Sequence, residues 1–223
     1  DVKGHAAFNM MVDRQVGEVL ALLRELGLDE KTVVFFCSDN GASMRNEGTL
    51  DSSGSLTGFK RSMHEGGIRT PLIVRWPGKV KPGGVSDLPV YFPDVMPTLC
   101  DLAGASALMP KDVDGLSIAP TLLGRPGEQN RHEYMYWEWT RAFSAEGKAK
   151  DLSQAVRHGR WKALRSDAGR PWELYDLSKD LAEKTNLADA HPDIVAKIDA
   201  WVKATRVDPP PQIEPKAPSG QYR

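Results

Sequence analysis

The sequence predicts an α/β protein that ends in a smaller antiparallel sheet packed with a helix. Three observations predict it: a helical apolar repeat running into a short, continuously apolar segment, a second such segment after a glycine-rich stretch, and four short aromatic-rich runs before a last amphipathic repeat. A helix leading into a strand with no polar face is the pattern of layered α/β architecture.

Between residues 6 and 26, Phe8, Met11, Val12, Val16, Val19, Leu20, Leu23 and Leu26 recur at intervals of three and four, which makes an amphipathic helix with Gly27 as its stop. Residues 32–37, Thr-Val-Val-Phe-Phe-Cys, predict a strand covered on both faces of a parallel sheet, with Cys37 as a buried thiol. Residues 38–58 are polar and glycine-rich, too long for a tight connection. A second strand, residues 71–76, closes at Pro77-Gly78. Residues 93–104 predict a short helix ended by Gly104, with Pro97 limiting its regularity. Asp114-Gly115-Leu116-Ser117 then turns into a short apolar piece ending at Leu123-Gly124.

After Gly124-Arg125-Pro126-Gly127 the aromatics cluster, and residues 134–139, 154–157, 161–164 and 172–177 read as four short strands of an antiparallel sheet. Trp137 and Trp139 are expected to serve the core, with one of the two facing it. His191-Pro192-Asp193 opens a final helix whose Ile194, Val195, Ile198, Trp201 and Val202 cover that sheet. The expected division is a catalytic α/β part over residues 1–127, a small α+β domain over 128–206 and a proline-rich tail over 207–223.

The charges balance, with 29 Lys+Arg against 30 Asp+Glu and a formal net charge of −1, so nothing electrostatic argues for a nucleic-acid partner or a polybasic membrane contact. At 40% hydrophobic residues the chain is not disordered as a whole. No apolar run approaches the roughly 20 residues that span a bilayer. Two cysteines are too few for a disulfide framework, and no Cys/His set has zinc spacing. Neither a Gly-x-Ser-x-Gly elbow nor a phosphate-cradling glycine loop is present.

Two constellations carry chemistry. Ser38-Asp39-Asn40-Gly41 follows the first apolar strand, where ligands gather in open α/β sheets; Asp39 and Asn40 offer oxygens suited to a hard cation, although the same residues also make turns. Residues 58–71 hold Lys60, a compact cation for one oxygen of a tetrahedral anion, and Gly66-Gly67, which lets backbone approach closely. Glu65 and Arg69 are expected to form a structural ion pair. His64 is a candidate substrate contact, or a packing and hydrogen-bonding residue beside the Gly-Gly turn.

Together, in this order, the two constellations resemble the sulfatase family of the alkaline phosphatase superfamily. The match is Ser38-Asp39-Asn40-Gly41 after a core strand and Gly-x-Lys-x-x-x-x-Glu-Gly-Gly-x-Arg-x-Pro from Gly58 to Pro71. Residues 12–17, 94–99, 114–117, 173–177 and 183–187 agree with it. The resemblance implies the C-terminal part of an alkaline-phosphatase-like α/β sandwich and hydrolysis of sulfate esters with Ca²⁺, or Mg²⁺, and a formylglycine whose hydrate attacks sulfur. Asp39 and Asn40 would be metal ligands, and Lys60 would hold the sulfate and the leaving-group side. A phosphate or phosphonate ester hydrolase of the same superfamily and a non-catalytic module for sulfated glycans are the competing readings.

The family's nucleophile pattern, Cys/Ser-x-Pro-x-Arg, is absent: Cys37 precedes Ser38-Asp39-Asn40 and Cys100 precedes Asp101-Leu102-Ala103. The early Asp-Asp metal pair and the His and Lys of the middle segment are absent too. The expectation is the C-terminal half of a sulfatase, inactive alone and prone to associate through exposed apolar faces, with the formylglycine in an N-terminal half that is its partner. Sulfated carbohydrate or aryl sulfate is the expected substrate, and a periplasmic or secreted location is implied by the resemblance.

Overall fold

The computed structural model describes residues 2–43, 50–143 and 149–207, so the expected tail lies, from residue 208 on, outside the described residues. In chain order the elements are α1 (Val2–Glu25), β1 (Val34–Cys37), α2 (Glu65–Ile68), β2 (Leu72–Arg75), α3 (Val95–Leu102), α4 (Ala119–Leu122), β3 (Met135–Trp139), β4 (Ala142–Phe143), β5 (Ala149–Lys150), β6 (Ser153–His158), β7 (Trp161–Arg165), β8 (Glu173–Asp176) and α5 (Pro192–Thr205), joined by short 3₁₀ turns. They form two compact units: Asp1–Gly54 with Arg69–Met135, and Ser55–Ile68 with Tyr136–Arg223.

In the first unit α1 ends as its periodicity predicts. Gly27 takes the left-handed φ of 65° and the N–H of Leu28 reaches back to Leu23 O at 2.8 Å. No residue of α1 is buried, and Phe8, Met10, Val19 and Leu22 stand exposed. β1 pairs with β2, and the pairing is antiparallel, with Val34 opposite Arg75 and Phe36 opposite Ile73. This corrects the expectation of a parallel, doubly covered strand: Phe36 is 39% and Ile73 59% exposed, and Cys37 is exposed rather than buried. A continuous apolar run reports two apolar faces; it carries no information on the direction of the partner strand. The Arg75 guanidinium clasps Asp29 through two hydrogen bonds of 2.7 and 2.9 Å and holds that carboxyl below its ordinary range.

A second anchor in this unit is Asp94, 1% exposed. Its Oδ1 accepts from the N–H of Leu116 at 2.8 Å and meets His132 Nε2 at 2.7 Å, while Oδ2 accepts from the N–H of Tyr91 at 3.1 Å. Thr98 donates to Asp94 O at 2.6 Å and accepts from Ile118 N at 3.0 Å. The Asp94…Thr98 and Asp114-Gly115-Leu116 segments are therefore the two halves of one buried polar knot. A Cβ on Gly115 would stand 1.9 Å from Pro93 O, so only glycine fits. Pro97 does not disrupt α3, because it lies in the first turn, where no backbone N–H is needed.

In the second unit β3-β6-β7-β8 form a four-stranded sheet, and β4 pairs with β5. Strand alternation gives the larger sheet two faces. One carries Val156, His158, Trp161 and Leu174 and is covered by α5, whose Ile198 and Val202 are buried and whose Trp201 meets His158 edge-on at 4.8 Å. The other carries Ala155, Leu164 and Tyr175, packed with Met63, Leu177, Ile68, Trp137 and Trp139. Both tryptophans thus pack on this core, where one was expected; residues two apart in a strand share a face.

Candidate functional site

In the first unit Asp39 and Asn40 directly follow β1, on the polar turn that ends it. Asp39 is exposed and Asn40 half-buried. Ser38 Oγ donates to Asn40 O at 2.9 Å, and Asn40 Nδ2 donates to Gly41 O at 3.0 Å, which engages the amide nitrogen and leaves the amide oxygen as the donor for a cation. Among the described residues no group of three or more His, Cys, Asp or Glu is placed to hold a metal ion.

In the second unit Lys60 and His64 lie on the segment that covers the Ala155–Leu164–Tyr175 face of the sheet. Lys60 is exposed, and among the described residues its ammonium has no carboxylate partner. It sits between two residues with left-handed backbone, Gly58 at φ 82° and Arg61 at φ 77°; the second is unusual for a side-chain-bearing residue. The turn closes on itself: Ser62 N donates to Phe59 O at 2.8 Å, Gly66 N to Thr57 O at 2.8 Å and Gly67 N to His64 O at 2.9 Å. A Cβ on Gly66 would fall 2.2 Å from Gly58 O and one on Gly67 2.1 Å from Ser62 O, so the glycine pair is required by the backbone packed against it.

Beneath this turn is a buried charge cluster. Lys162 of β7, with 0% exposure, places Nζ 2.8 Å from Glu65 Oε1 and 3.1 Å from Glu183 Oε1. Arg157 of β6 approaches Glu65 Oε2 at 3.9 Å. Glu183 Oε2 accepts from the backbone N–H of Glu65 at 2.6 Å and meets His64 Nδ1 at 3.4 Å. Burial pushes the Glu183 carboxyl up, but His64, the Lys162 charge and the Glu65 N–H together outweigh it and leave the group below its ordinary value. Thr57 Oγ1 donates to Ala182 O at 2.5 Å, a further tie to the stretch that carries Glu183. His64 is half-buried, with its ring 6.2 Å from that of Tyr175.

Sequence reasoning singled out Asp39, Asn40, Lys60 and His64, and expected Arg69 as the partner of Glu65. It missed Lys162, Arg157 and Glu183 as the groups beneath the turn. A signal was available in β7, where Lys162 and Leu164 share a strand face: a lysine at an inward position of an apolar strand demands buried carboxylates.

The profile of the family described as "Sulfatase" matches residues 2–105, and the one described as "N-sulphoglucosamine sulphohydrolase, C-terminal" matches residues 58–207. The chain belongs to the sulfatase family. Similar curated sulfatases include arylsulfatase A of Homo sapiens, 33% identical over 83% of this chain and 40% of that protein, and a sulfatase of Formosa agariphila, 34% identical over 84% of this chain and 36% of that one. A solved structure titled as a complex with its substrate D-glucosamine-2-N,6-O-disulfate superposes with a TM-score of 0.68 at 25% identity, over 87% of this chain and 38% of its own. A 2-O GAG sulfatase gives 0.68 at 28%, over 87% and 40%. The chain thus spans between 22% and 40% of the length of the curated relatives it matches and about two fifths of the solved ones, and the fold is that of the sulfatases.

Proposed function

We propose that the protein hydrolyses sulfate esters of carbohydrates, with Lys60 holding a sulfuryl oxygen and Asp39 and Asn40 contributing to a divalent-cation site. The observation that carries the reading is Lys60 itself: a solvent-facing ammonium with no carboxylate partner among the described residues, on a turn locked at both ends. Relatives with sulfated-sugar substrates in their names or titles support the substrate class.

The donor chemistry at Asp39 and Asn40 fits a hard cation, since both side chains offer oxygen. Two donors do not complete the shell of about six to eight oxygens that Ca²⁺ takes, so the remaining ones come from beyond the described residues, from water or from substrate. Such a cation draws negative charge from the sulfuryl oxygens when bound. Lys60 donates N–H to a sulfuryl or leaving-group oxygen and offsets the charge that grows there as the ester S–O bond breaks. No nucleophile is assigned to this chain. The reading places a formylglycine in a part of the protein outside it, and the 223-residue chain alone is then inactive. A periplasmic or secreted location belongs to the same proposal; among the described residues no helix is long and apolar enough to cross a membrane.

The complete gene product assayed on 4-nitrophenyl sulfate and 4-nitrophenyl phosphate tests this. Turnover of the sulfate ester in preference to the phosphate, lost in chelator and restored by Ca²⁺, is the expected result. Preference for the phosphate ester contradicts it.

A further inference from the structure

The sheet face beneath the Lys60 turn has an apolar core of Ala155, Leu164 and Leu177, with Tyr175 packed on it and Arg157 beside the charges. Apolar side chains of similar volume at positions 162, 65 and 183 together would avoid desolvating three charges, and such replacements of whole buried ion-pair sets are often neutral or stabilising. The charge at Lys162 is therefore not explained by stability. Its effect is directional. Lys162 bridges two carboxylates that belong to separate pieces of chain, Glu65 of the turn and Glu183 of the stretch after β8. Glu183 in turn holds the N–H of Glu65, so both the side chain and the backbone of Glu65 are fixed.

From Glu65 the constraint passes to Lys60 through close-packed backbone. Gly66 and Gly67 lie against the carbonyls of Thr57, Gly58, Phe59 and Ser62 with no room for a Cβ, so Glu65 cannot move without moving residues 57–62. We infer that Lys162 is a positioning residue: its buried ammonium, set between Glu65 and Glu183, determines where the Lys60 ammonium stands for the sulfate ester. The functional half of this inference rests on the sulfate-binding reading of Lys60.

The groups that face the cluster are Arg157 from β6, Lys162 from β7, Tyr175 with its hydrogen-bonded Glu173 from β8, Glu183 from the following stretch, and Glu65 and His64 from the turn itself. Lys162→Met removes the cation shared by the two carboxylates. Glu65 and Glu183 are then left with Arg157, 3.9 Å from Glu65, as the remaining fixed cation, and uptake of a proton by one carboxylate favours the seated turn. The position of Lys60 thereby gains a dependence on pH from these two carboxylates.

Two readouts on the complete gene product test this: hydrogen exchange of the amides at residues 57–68, and KM and kcat for 4-nitrophenyl sulfate between pH 5 and 8. Lys162→Met is expected to speed exchange at those amides by about tenfold or more, to raise KM by about tenfold or more, and to make KM fall again toward the acid end of the range. Lys162→Arg, which keeps the charge, is expected to recover most of the exchange protection. Unchanged exchange in Lys162→Met overturns the inference and leaves the reading of Lys60 untouched. Faster exchange with an unchanged KM overturns the sulfate-binding role of Lys60 and, with it, the functional half of the inference. A KM that rises equally at every pH shows a purely structural role and also overturns it. Should Lys162→Met fail to fold, Glu183→Gln keeps the shape, removes one charge and is read by the same two measurements, with faster exchange and a raised KM expected and neither change contradicting the proposal.

Discussion

Substituting Gly67 by alanine probes the locked turn with a change of one methyl group. The added Cβ would stand 2.1 Å from Ser62 O and 2.7 Å from Phe59 O, whereas real Cβ atoms essentially never come within 3.0 Å of another group. Both obstacles are backbone atoms and cannot rotate away, so the turn has to open by roughly 1 Å, a displacement that costs on the order of 10²-fold in rate when it reaches a catalytic group. The stability cost is about 1–3 kcal/mol, as for other overpacked sites. Gly17→Ala is the control: a Cβ there meets nothing within 4 Å, and within α1 the change is expected to stabilise by about 0.5–1 kcal/mol. The assay is kcat/KM on 4-nitrophenyl sulfate by the complete gene product, with thermal melting alongside. A Gly67→Ala protein that stays within about threefold of the parent in kcat/KM would refute the reasoning, because the turn would then be free to yield without moving Lys60.

Two other perturbations test the packing that supports the turn and the first unit. Glu183 titrates below its ordinary 4.5 in the folded chain, so its contribution to stability is present above that value and is lost as pH falls through the lower native one. Melting temperatures of the parent should therefore drop as pH is lowered below 4.5, and Glu183→Gln should show a shallower drop over the same interval; equal slopes contradict the assignment. Asp94→Ala leaves the N–H groups of Leu116 and Tyr91 and the ring of His132 without their acceptor, at a cost of about 3 kcal/mol or more in urea denaturation. Asp94→Asn, which keeps an amide oxygen, should cost less.

The three longer helices and the C-terminal sheet were legible because their information is local, whereas the one-turn helices α2 and α4 were not. The repeat in α1, the glycine stop at residue 27, Pro192 at the head of α5 and the four short runs from β3 to β8 each declare themselves within a few residues. The direction of β1 was not legible, since an apolar run is silent about its partner. In the candidate site, Asp39 and Lys60 were visible through motif position and residue chemistry. The groups beneath the turn were not, because Glu65 meets Lys162 across 97 positions and Glu183 across 118. Side-chain pairs at such separations leave no periodic trace; the one local sign was a lysine on the inward side of β7. The agreement of residues 94–99 and 114–117 with the family also found its physical cause only in three dimensions, in the knot around Asp94.

The most direct test of the whole account is kcat/KM for 4-nitrophenyl sulfate in Lys60→Ala, measured on the complete gene product beside the parent. Lys60 is exposed and takes no part in the buried cluster, so the substitution should leave the melting temperature unchanged while lowering kcat/KM by on the order of 10²-fold. A Lys60→Ala protein that turns over the sulfate ester as fast as the parent would contradict it.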